Sequence, residues 1–175
     1  MITNPLSNNI VTLRAVEPDD AGMMFGLEND TDLWQYSERI APLSMLMIRQ
    51  YAESYDSDPI RAGQLRLIVT DTTRGETVGI ADLYEIDPQA RHAFVGIAIL
   101  PDFRRRGYGR AALDALASYS RLMLRMKCLA ARVAENNTPS LGLFRAAGYT
   151  RMAVIPKWIP TPEGLVDEHF LLLTL

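Results

Sequence analysis

Cysteine and histidine are scarce in this chain of 175 residues, which contains one cysteine, Cys128, and two histidines, His92 and His169. A single cysteine cannot form an intramolecular disulfide, and so few Cys and His side chains do not supply the ligands of a structural zinc site. We therefore expect no metal site. Absence of a disulfide framework is typical of a reducing compartment, so we also expect a cytoplasmic protein.

Long apolar runs and an excess of positive charge are lacking as well. No run approaches the roughly 18 apolar residues that cross a membrane, and the start, MITNPLSNN, lacks the basic and apolar parts of a secretory signal. The formal net charge is −3, whereas proteins that bind a nucleic-acid backbone usually carry a basic excess. We expect neither a membrane nor a nucleic acid as partner.

The pattern of apolar residues predicts one domain over residues 1–175, with the element order β-α-α-β-β-β-α-β-α-β-β. The predicted strands are Ile10–Val16, Gly63–Thr72, Thr77–Ile86, Ala93–Leu100, Cys128–Ala134 and two more in the tail, joined by a loop at Ile159–Gly164. The predicted helices fall within residues 17–30, 42–55, 107–124 and 136–149. Thr138 is the expected N-cap of the last helix. This order predicts an α/β (α+β) fold, a mixed and mostly antiparallel sheet of about seven strands flanked by about four helices.

The stretch ILPDFRRRGYGRAALDAL, Ile99–Leu116, joins a strand to a helix through a turn with three arginines and two glycines. The first amides of a helix have no partner within it, and they point at whatever lies beyond its end. Gly107 and Gly109 let a bulky anion approach the backbone. Each hydrogen bond from an amide to a phosphate contributes about 1.5–3 kcal/mol. This is more than the roughly 0.3–1 kcal/mol that the helix dipole contributes. The stretch predicts a diphosphate site, the alternative being a solvated basic turn.

RRRGYG resembles the coenzyme A loop of the GCN5-related N-acetyltransferases, R/Q-x-x-G-x-G/A, which Arg104, Gly107 and Gly109 match. The second signature of that family, an Asn followed by a helix that ends in an aromatic and then Gly-aromatic, is matched in NNTPSLGLFRAAGY. The matching residues there are Asn137, Ser140, Leu143, Phe144, Gly148 and Tyr149. The resemblance extends over almost the whole chain, and the layout is most similar to the branch of spermidine/spermine and ribosomal-protein acetyltransferases.

The resemblance implies acetyl coenzyme A as cofactor and acetyl transfer to an amine. It implies a cofactor cleft between splayed strands four and five, Ala93–Leu100 and Cys128–Ala134, with pantetheine along the first and pyrophosphate on the amides of the turn. Asn137 and Ser140 would line the far side. The implied cofactor residues are Ile97, Ala98, Ile99, Arg104, Arg105, Arg106, Gly107, Tyr108, Gly109, Arg110, Asn137, Ser140 and Phe144.

Asp82 is the first candidate for the acid-base chemistry. An ammonium with a pKa of about 10.4 leaves about one molecule in 10³ as the free amine at pH 7, and a carboxylate can accept the proton. Asp82 lies within the apolar stripe of the strand before the cofactor strand, where an acid needs a partner. The related polyamine enzymes also place an acid here. We expect a base or an amine anchor, the alternative being a locally hydrogen-bonded acid at the edge of the sheet.

Two phenylalanines depart from the family pattern. Phe94 stands where the family often has a glutamate, which leaves His92 as a second candidate base. Phe144 stands where many relatives have a tyrosine that protonates the departing thiolate. Tyr149 and Tyr108 are possible substitutes. A coenzyme A-binding module with lost or very slow catalysis is therefore the alternative to an acetyltransferase.

The stretch LENDTDLWQYSER is expected to form the acceptor wall, because helices one and two do so in the family. Acids beside aromatics suit a cationic amine, and the alternative is a solvated loop. The candidates are Glu28, Asn29, Asp30, Asp32, Trp34, Glu38 and Asp82. The acceptor is expected to be a small-molecule, polyamine-like amine or a protein amine. The apolar end FLLLTL predicts a possible homodimer.

Overall fold

The computed structural model describes residues 4–36, 40–56 and 58–175, and its strands form one sheet. The strands are β1 (Val11–Arg14), β2 (Leu65–Asp71), β3 (Thr77–Asp87), β4 (His92–Ile99), β5 (Cys128–Ala134), β6 (Thr150–Thr161) and β7 (Gly164–Thr174). Their order in the sheet is β1-β2-β3-β4-β5-β7-β6, and only β4 and β5 run parallel. The predicted fold class and strand number are confirmed.

Six α-helices are present in the described residues, where about four were predicted. They are α1 (Ala21–Glu28), α2 (Thr31–Trp34), α3 (Met45–Glu53), α4 (Pro59–Ala62), α5 (Tyr108–Leu122) and α6 (Thr138–Ala146). The two additional helices, α2 and α4, have four residues each. Each begins at an aspartate, because the carboxylates of Asp30 and Asp58 accept hydrogen bonds from amides of the first turn.

The helices cover the sheet from both sides. On one side α5 contributes Leu113 and Leu116, which are almost fully buried and pack with β3 residues such as Leu83. On the other side α1 and α3 pack through Met24 and Ile48. Truncation of a buried leucine such as Leu113 to alanine would cost about 2–5 kcal/mol. Because side chains alternate along a strand, Asp82 of β3 faces the side of α1 and α3.

The C-terminal part differs from its prediction in two places. The predicted loop at Ile159–Gly164 is wrong: β6 continues to Thr161, and only Pro162 and Glu163 separate it from β7. The Thr161 hydroxyl donates to the Gly164 carbonyl at 2.8 Å and closes this tight turn. The segment FLLLTL lies in β7, between β5 and β6. It is thus an interior strand, and its edges are not available to a second chain.

The cap of α6 is also one residue from its predicted position. Asn137, and not Thr138, is the N-cap, and its side-chain oxygen accepts a hydrogen bond from the Ser140 amide at 3.2 Å. Asparagine is a stronger N-cap than threonine, which accounts for the shift. In the part of the chain that the structure describes, no helix is long and apolar enough to cross a membrane.

Candidate active site

A cleft opens between β4 and β5, the two parallel strands at the centre of the sheet. They pair only at His92 with Cys128, Ala93 with Leu129 and Phe94 with Ala130. Beyond Phe94, β4 continues to Ile99 and β5 to Ala134 without pairing to each other. The strands therefore separate over the second half of β4, where the family resemblance implied a splay.

The backbone of β4 offers hydrogen-bonding groups to this cleft. The Leu100 amide donates to Val78 of β3 at 2.9 Å, and backbone groups alternate in direction along an antiparallel pair. The groups of Ile97 and Ile99 therefore point toward β5, while those of Ala98 point toward β3. Consistent with this, the Arg104 side chain reaches the Ile99 carbonyl, with its Nε at 2.9 Å. A segment placed in the cleft would meet the backbone of Ile97 as an added strand.

The N-terminus of α5 lies at the open end of the cleft. Gly107 is its N-cap with φ of 87°, a left-handed conformation that favours glycine. The Ala111 amide donates to the Gly107 carbonyl at 3.0 Å, the first bond of the helix ladder. The amides of Tyr108, Gly109 and Arg110 precede that bond and point out of the helix. A Cβ on Gly107 would meet no atom within 4 Å, so Gly107 borders open space, whereas a Cβ on Gly109 would lie 3.1 Å from the Leu143 side chain.

Tyr108 ties this turn to the rest of the fold. Its ring is buried, and its hydroxyl donates to Asp71 at 2.5 Å and accepts from Arg74 Nη2 at 3.0 Å. The hydrogen bond from Tyr108 is the main reason that the pKa of Asp71 is lowered to about 2. The hydroxyl is thus held by the turn between β2 and β3. The structure places it away from the cleft, which argues against its predicted role as a proton donor.

The arginine side chains of the turn have different partners. Arg105 and Arg106 are exposed, and the guanidinium of Arg106 lies 5.7 Å from the centre of the Phe103 ring. Arg110 bonds to Asp114 in the next turn and to the Ala146 carbonyl of α6. Arg105 and Arg106 can therefore attract an anion from solvent, whereas Arg110 mainly joins α5 to α6.

On the far side of the cleft, the residues of the second motif serve packing and capping. The Asn137 oxygen caps α6 through the Ser140 amide, as described above. Phe144 is 3% exposed and lies edge-on to Tyr149, with 4.9 Å between ring centres. The Tyr149 hydroxyl is buried without a hydrogen-bond partner among the described residues, and burial raises its pKa. A buried phenol with a raised pKa is a poor acid, which weighs against Tyr149 as proton donor.

On the opposite face of the sheet, Arg66 of β2 binds two carboxylates. Its Nε and Nη2 donate to the two oxygens of Asp82, at 2.8 and 2.9 Å, and its Nη1 donates to Glu28 Oε1 at 2.6 Å. The side chains are 14–23% exposed. Burial disfavours the charge of Arg66, but attraction to Asp82 and Glu28 outweighs it and raises the pKa of the guanidinium. We call Glu28, Arg66 and Asp82 the ionic cluster.

Two tyrosines hold the ionic cluster in place. The Tyr55 hydroxyl accepts from the Arg66 amide at 2.6 Å and donates to the Arg66 carbonyl at 2.7 Å. Burial raises the pKa of Tyr55 to about 12, so the hydroxyl stays protonated. The Tyr51 ring lies 5.8 Å from the Arg66 guanidinium carbon. Residues from α1, α3, β2 and β3 thus meet at one point.

A cavity of about 210 Å³ opens beside the ionic cluster, lined by Tyr51, Gln64, Leu65, Arg66, Asp82, Leu83 and Tyr84. Asp82 pairs in register with Gly96 of β4, within the unpaired half of the cleft strand. A Cβ on Gly96 would lie 3.9 Å from both Asp82 Oδ2 and Tyr84 Cε1. These are ordinary contact distances, and they place the Asp82 carboxylate beside the backbone of the strand that borders the cleft. A larger depression of about 460 Å³, lined by Asn4, Ser7, Asn8, Asn9 and Thr72, contains none of these residues.

The remaining acceptor candidates are spread over the α1–α2 segment. Asn29 is structural, because its side chain exchanges hydrogen bonds with the backbone of Leu43. Asp30 caps α2, Asp32 is exposed, and Trp34 donates its indole N–H to the Glu28 carbonyl at 2.9 Å. Glu38 lies outside the described residues. Of the members of this group that the structure describes, only Glu28 is brought to Asp82, through their shared partner Arg66.

His92 and Phe94 lie at the closed end of the cleft. The His92 ring is edge-on to Phe94 at 6.4 Å, in the part of β4 that pairs with β5. Phe94 also stacks on Tyr84 at 5.6 Å and lies 4.4 Å below the Arg132 guanidinium. His92 therefore lies two residues before Phe94, the last residue of β4 that pairs with β5, and is outside the open part of the cleft.

In the described residues, no three His, Cys, Asp or Glu side chains are grouped as a metal site would require.

Arg66 is the residue that sequence reasoning missed. The turn TRGE indicated that β2 and β3 form a hairpin, and Thr70 pairs with Thr77 there. An unbroken ladder from that pair would place Arg66 opposite Ala81. A bulge between Val69 and Thr70 shifts the register by one residue and brings Arg66 opposite Asp82. An arginine within the apolar strand LRLIV was the available signal, since a buried charge needs a partner.

The residues present fit coenzyme A. Its diphosphate needs several donors in one place, which the amides of Tyr108, Gly109 and Arg110 supply directly after Gly107, a residue that borders open space. Its pantetheine arm needs an exposed strand edge, which β4 supplies beyond Phe94. These two features adjoin at the end of β4, so one extended ligand can use both.

Comparison with known proteins agrees with this geometry. Residues 11–150 match the family described as the acetyltransferase (GNAT) domain. A spermidine N(1)-acetyltransferase of Vibrio cholerae is 24% identical over 171 residues, which cover 94% of this chain and 87% of that protein. An uncharacterized N-acetyltransferase, p20 of Bacillus licheniformis, is 21% identical over 161 residues, which cover 91% and 89%.

Solved structures show the same fold. The crystal structure of spermidine N-acetyltransferase from Vibrio cholerae in complex with CoA and spermine has a TM-score of 0.84, with 21% identity and coverage of 95% of this chain and 96% of that one. A dodecameric structure of the Vibrio cholerae enzyme in an intermediate state has a TM-score of 0.76 at 22% identity, with 95% of each chain covered.

Proposed function

The chain belongs to the GNAT acetyltransferase family, and on this premise we propose that it acetylates a primary amine of a small, polyamine-like cation. We take residues 1–175 as a single acetyltransferase domain that works in the cytoplasm. The observation that carries the proposal is the juxtaposition at Gly96, where the unpaired cleft strand lies beside a carboxylate of the ionic cluster. The acceptor class follows from that carboxylate and from the relatives named for spermidine.

Acetyl coenzyme A would supply the activated acetyl thioester. The amides of Tyr108, Gly109 and Arg110 hold the diphosphate, and the backbone of Ile97 and Ile99 aligns the pantetheine arm. Arg105 and Arg106 add attraction from the surface, where exposed ion pairs contribute about 0.2–1 kcal/mol each. Asn137, Ser140 and Phe144 would border the arm from α6.

The ionic cluster and its neighbours would hold the acceptor. Asp82 lines the cavity beside Arg66, whose guanidinium also binds Glu28, and Tyr51 and Tyr84 line the same cavity. Ammonium groups bind carboxylates and aromatic faces favourably. Asp32, Trp34 and Glu38 stay proposals for the outer part of the same wall. A protein amine is the alternative acceptor.

The structure favours Asp82 as an anchor over Asp82 as the base. Both of its oxygens accept hydrogen bonds from Arg66, and protonation of the carboxylate would break that paired interaction. The anchor orients the amine while its proton leaves to solvent. His92 remains the second proposal for a base.

Turnover with acetyl coenzyme A and a panel of amines tests the proposal. We expect thiol release with linear diamines and polyamines, and slower release with neutral or anionic amines. Without a strong protein base, kcat/KM should rise with pH toward the pKa of the acceptor, about 10.4. A plateau below pH 7 would instead indicate a base in the protein.

A second candidate is a module that binds coenzyme A without catalysis. Phe144 has no proton to give, and the neighbouring Tyr149 hydroxyl is buried with a raised pKa. Tight binding of coenzyme A in calorimetry, with no thiol release for any amine in the panel, would establish this candidate and exclude the enzyme.

We further propose that a second copy of the chain covers the hairpin of β6 and β7, here called the arm. No residue of β6 is buried, and Met152, Trp158 and Leu165 are about 60% exposed. The solvent-accessible surface of the chain is 10203 Å², whereas that of a folded monomer of the same mass, 19.6 kDa, is about 8,600 Å². The whole chain thus exposes about 1,600 Å² more surface than expected, and a standard protein contact buries about 800 Å² per partner.

The edge of the arm does not favour strand addition. Pro156 and Pro160 have no N–H to donate, Lys157 has φ of 51°, and pairing with β7 is irregular between Ile155 and Ile159. A partner would therefore pack against the side chains of the arm. Sedimentation velocity should show self-association that the pair Met152→Ser and Trp158→Ser abolishes. The control pair Leu122→Ser and Met123→Ser, also exposed, should leave it unchanged, and a monomeric wild type would refute the proposal.

A further inference from the structure

Arg132 lies on β5, two residues beyond the last pair between β4 and β5. Its backbone belongs to the half of β5 that does not pair with β4, and its guanidinium carbon lies 4.4 Å from the centre of the Phe94 ring on β4. The side chain therefore reaches from one strand of the cleft to the other at the point where the two strands separate. It is 40% exposed, so a ligand can contact the guanidinium.

The guanidinium lies on the face of the sheet that carries Asp82. Asp82 and Tyr84 share this face of β3 because side chains alternate along a strand, and the Phe94 ring stacks on Tyr84 at 5.6 Å. Gly96, which pairs with Asp82, is two residues from Phe94 on β4. Arg132 therefore reaches the cleft from the same side as the proposed acceptor site.

The guanidinium of Arg132 retains its hydrogen-bonding capacity. It has five N–H donors, and none of them donates a hydrogen bond to a residue that the structure describes. Its one ion pair among those residues joins Nη2 to Glu85 Oε2 at 3.6 Å, which is too long for a hydrogen bond. Glu85 has φ of 46° and lies in the bulge between Tyr84 and Asp87, and bulges redirect side chains. An aromatic ring and one carboxylate thus position a guanidinium whose donors stay available.

The sulfur of coenzyme A can reach this guanidinium. The arm from the diphosphate to the sulfur has about twelve bonds, the length of about four residues of extended chain, or about 13 Å. The diphosphate site follows the end of β4, and four residues back from Ile99 is Val95, next to Phe94. A pantetheine arm that is aligned on the backbone of β4 therefore brings its sulfur to the level of Phe94 and Arg132.

We propose that Arg132 is a catalytic residue that stabilises the departing thiolate. Amide formation joins the acceptor nitrogen to the acetyl carbon and breaks the bond from that carbon to sulfur. Sulfur keeps the bonding pair as a thiolate, and the proton of the amine passes to solvent. The positive charge and the available donors of Arg132 stabilise the thiolate, which Phe144 cannot protonate. This inference rests on the proposed acetyl transfer. The competing role, in which Arg132 only covers the Phe94 ring, predicts no effect on the sulfur.

Coenzyme A and desulfo-coenzyme A, which lacks the thiol, are the two probes. Calorimetry at pH 6 and pH 9 measures the affinity of each without an acceptor and without turnover. A cation beside the thiol lowers its pKa from the usual value of about 8.5. The affinity for coenzyme A relative to the desulfo analogue, here called the thiol ratio, should therefore rise about fivefold to tenfold from pH 6 to pH 9. A thiol ratio that pH does not change in the wild type would overturn the proposal.

Other groups that titrate on this face affect both probes equally, so the thiol ratio cancels them. Besides the ionic cluster, the groups of this kind in the described residues are Tyr84, Glu85, His92, Cys128 and Glu168.

Variants test whether Arg132 causes the effect. Arg132→Gln removes the charge, so the thiol ratio should lose its pH dependence and kcat should fall about tenfold. Arg132→Lys keeps the charge and should retain most of the pH dependence. Glu85→Gln removes the neighbouring negative charge and should increase the pH dependence, a result that can be obtained even where Arg132→Gln does not fold. Arg121→Gln is the control, because Arg121 is exposed at the end of α5 and its substitution changes the net charge equally. It should leave the thiol ratio and kcat unchanged.

The outcomes separate this inference from the proposed function. If Arg132→Gln keeps the pH dependence of the wild type, Arg132 only covers Phe94 and the proposal is wrong. If the thiol ratio depends on Arg132 but no amine releases thiol, the proposed acetyl transfer fails and the contact with the thiolate stands. If amines release thiol while pH does not change the thiol ratio, acetyl transfer stands and Arg132 has no part in it.

Discussion

The turn before α5 and the ionic cluster lie on opposite faces of the sheet and are built differently. The turn is contiguous, residues 99–110, and it offers main-chain amides. The ionic cluster draws Glu28, Arg66 and Asp82 from three separate elements and offers side chains. A main-chain site depends on backbone conformation and tolerates most side chains, whereas a side-chain site depends on the identity and position of each member.

This difference predicts which substitutions matter at each place. In the turn, only a change that alters the backbone or fills the open space should remove binding. In the ionic cluster, even an isosteric change of one charged group should have a measurable effect, because a buried charge that loses its partner has a large cost in free energy.

Gly107→Val should weaken coenzyme A binding at least about 100-fold, because it strains the left-handed N-cap that orients the following amides, whose bonds to a phosphate contribute about 1.5–3 kcal/mol each. Calorimetry measures the effect. Gly63→Val is the matched control, since Gly63 is also left-handed, with φ of 67°, and also faces open space. If both variants bind coenzyme A equally, the turn is not the diphosphate site.

Asp82→Asn should raise KM for a diamine about 10- to 100-fold, the loss of one charge-assisted hydrogen bond, and should leave coenzyme A affinity unchanged. Steady-state kinetics and calorimetry check both parts. Asp87→Asn is the control, because Asp87 accepts bonds from turn amides at 2.7 and 2.8 Å and lies outside the cavity lining. A parallel loss of coenzyme A binding would mean that Asp82 supports the cleft and does not anchor the amine.

Tyr108→Phe should weaken coenzyme A binding about fivefold to tenfold, because it removes the hydroxyl hydrogen bond that ties the turn to Asp71. It should also change stability in acid. The folded pKa of Asp71 is about 2, below its usual 3.8, so this carboxylate stabilises the fold above pH 4 and loses that effect as pH falls toward 2. The wild type should therefore melt higher than Tyr108→Phe at pH 6, and the gap should narrow at pH 3. A constant gap would exclude Asp71 as the cause.

Arg105→Ala and Arg106→Ala should each weaken coenzyme A binding only about threefold, because exposed charges contribute about 0.2–1 kcal/mol. The effect should disappear at 0.5 M salt, where screening is strong. A loss as large as that of Gly107→Val would mean that the arginines, and not the amides, hold the diphosphate.

Local features of the fold and of the turn could be predicted from the sequence, because their signals are contiguous. The strand, the glycines and the start of α5 lie in one stretch, and helix and strand periods show in neighbouring residues. Errors arose where two signals compete within a few residues, as at Asn137 and Thr138, or where strands continue through prolines, as at Ile159–Gly164.

The ionic cluster could not be predicted, because it depends on a register. The bulge between Val69 and Thr70 decides whether Arg66 lies opposite Ala81 or Asp82 on β3, and no residue type in the sequence predicts this bulge. The contact from Glu28 further requires the packing of α1 on the sheet. Contacts between side chains of distant elements are determined only by the whole fold. This is why sequence reasoning missed Arg66, whose partners Glu28 and Asp82 lie on other elements.

Calorimetry of coenzyme A against pantetheine, which lacks the diphosphate and the adenine nucleotide, in the wild type and in Gly107→Val tests most directly whether main-chain amides at α5 hold the cofactor. We expect the wild type to bind coenzyme A at least about 100-fold more tightly than pantetheine, as two or more charge-assisted bonds require, and Gly107→Val to lose that preference. Equal affinity of the wild type for both ligands would contradict the diphosphate site and everything built on it.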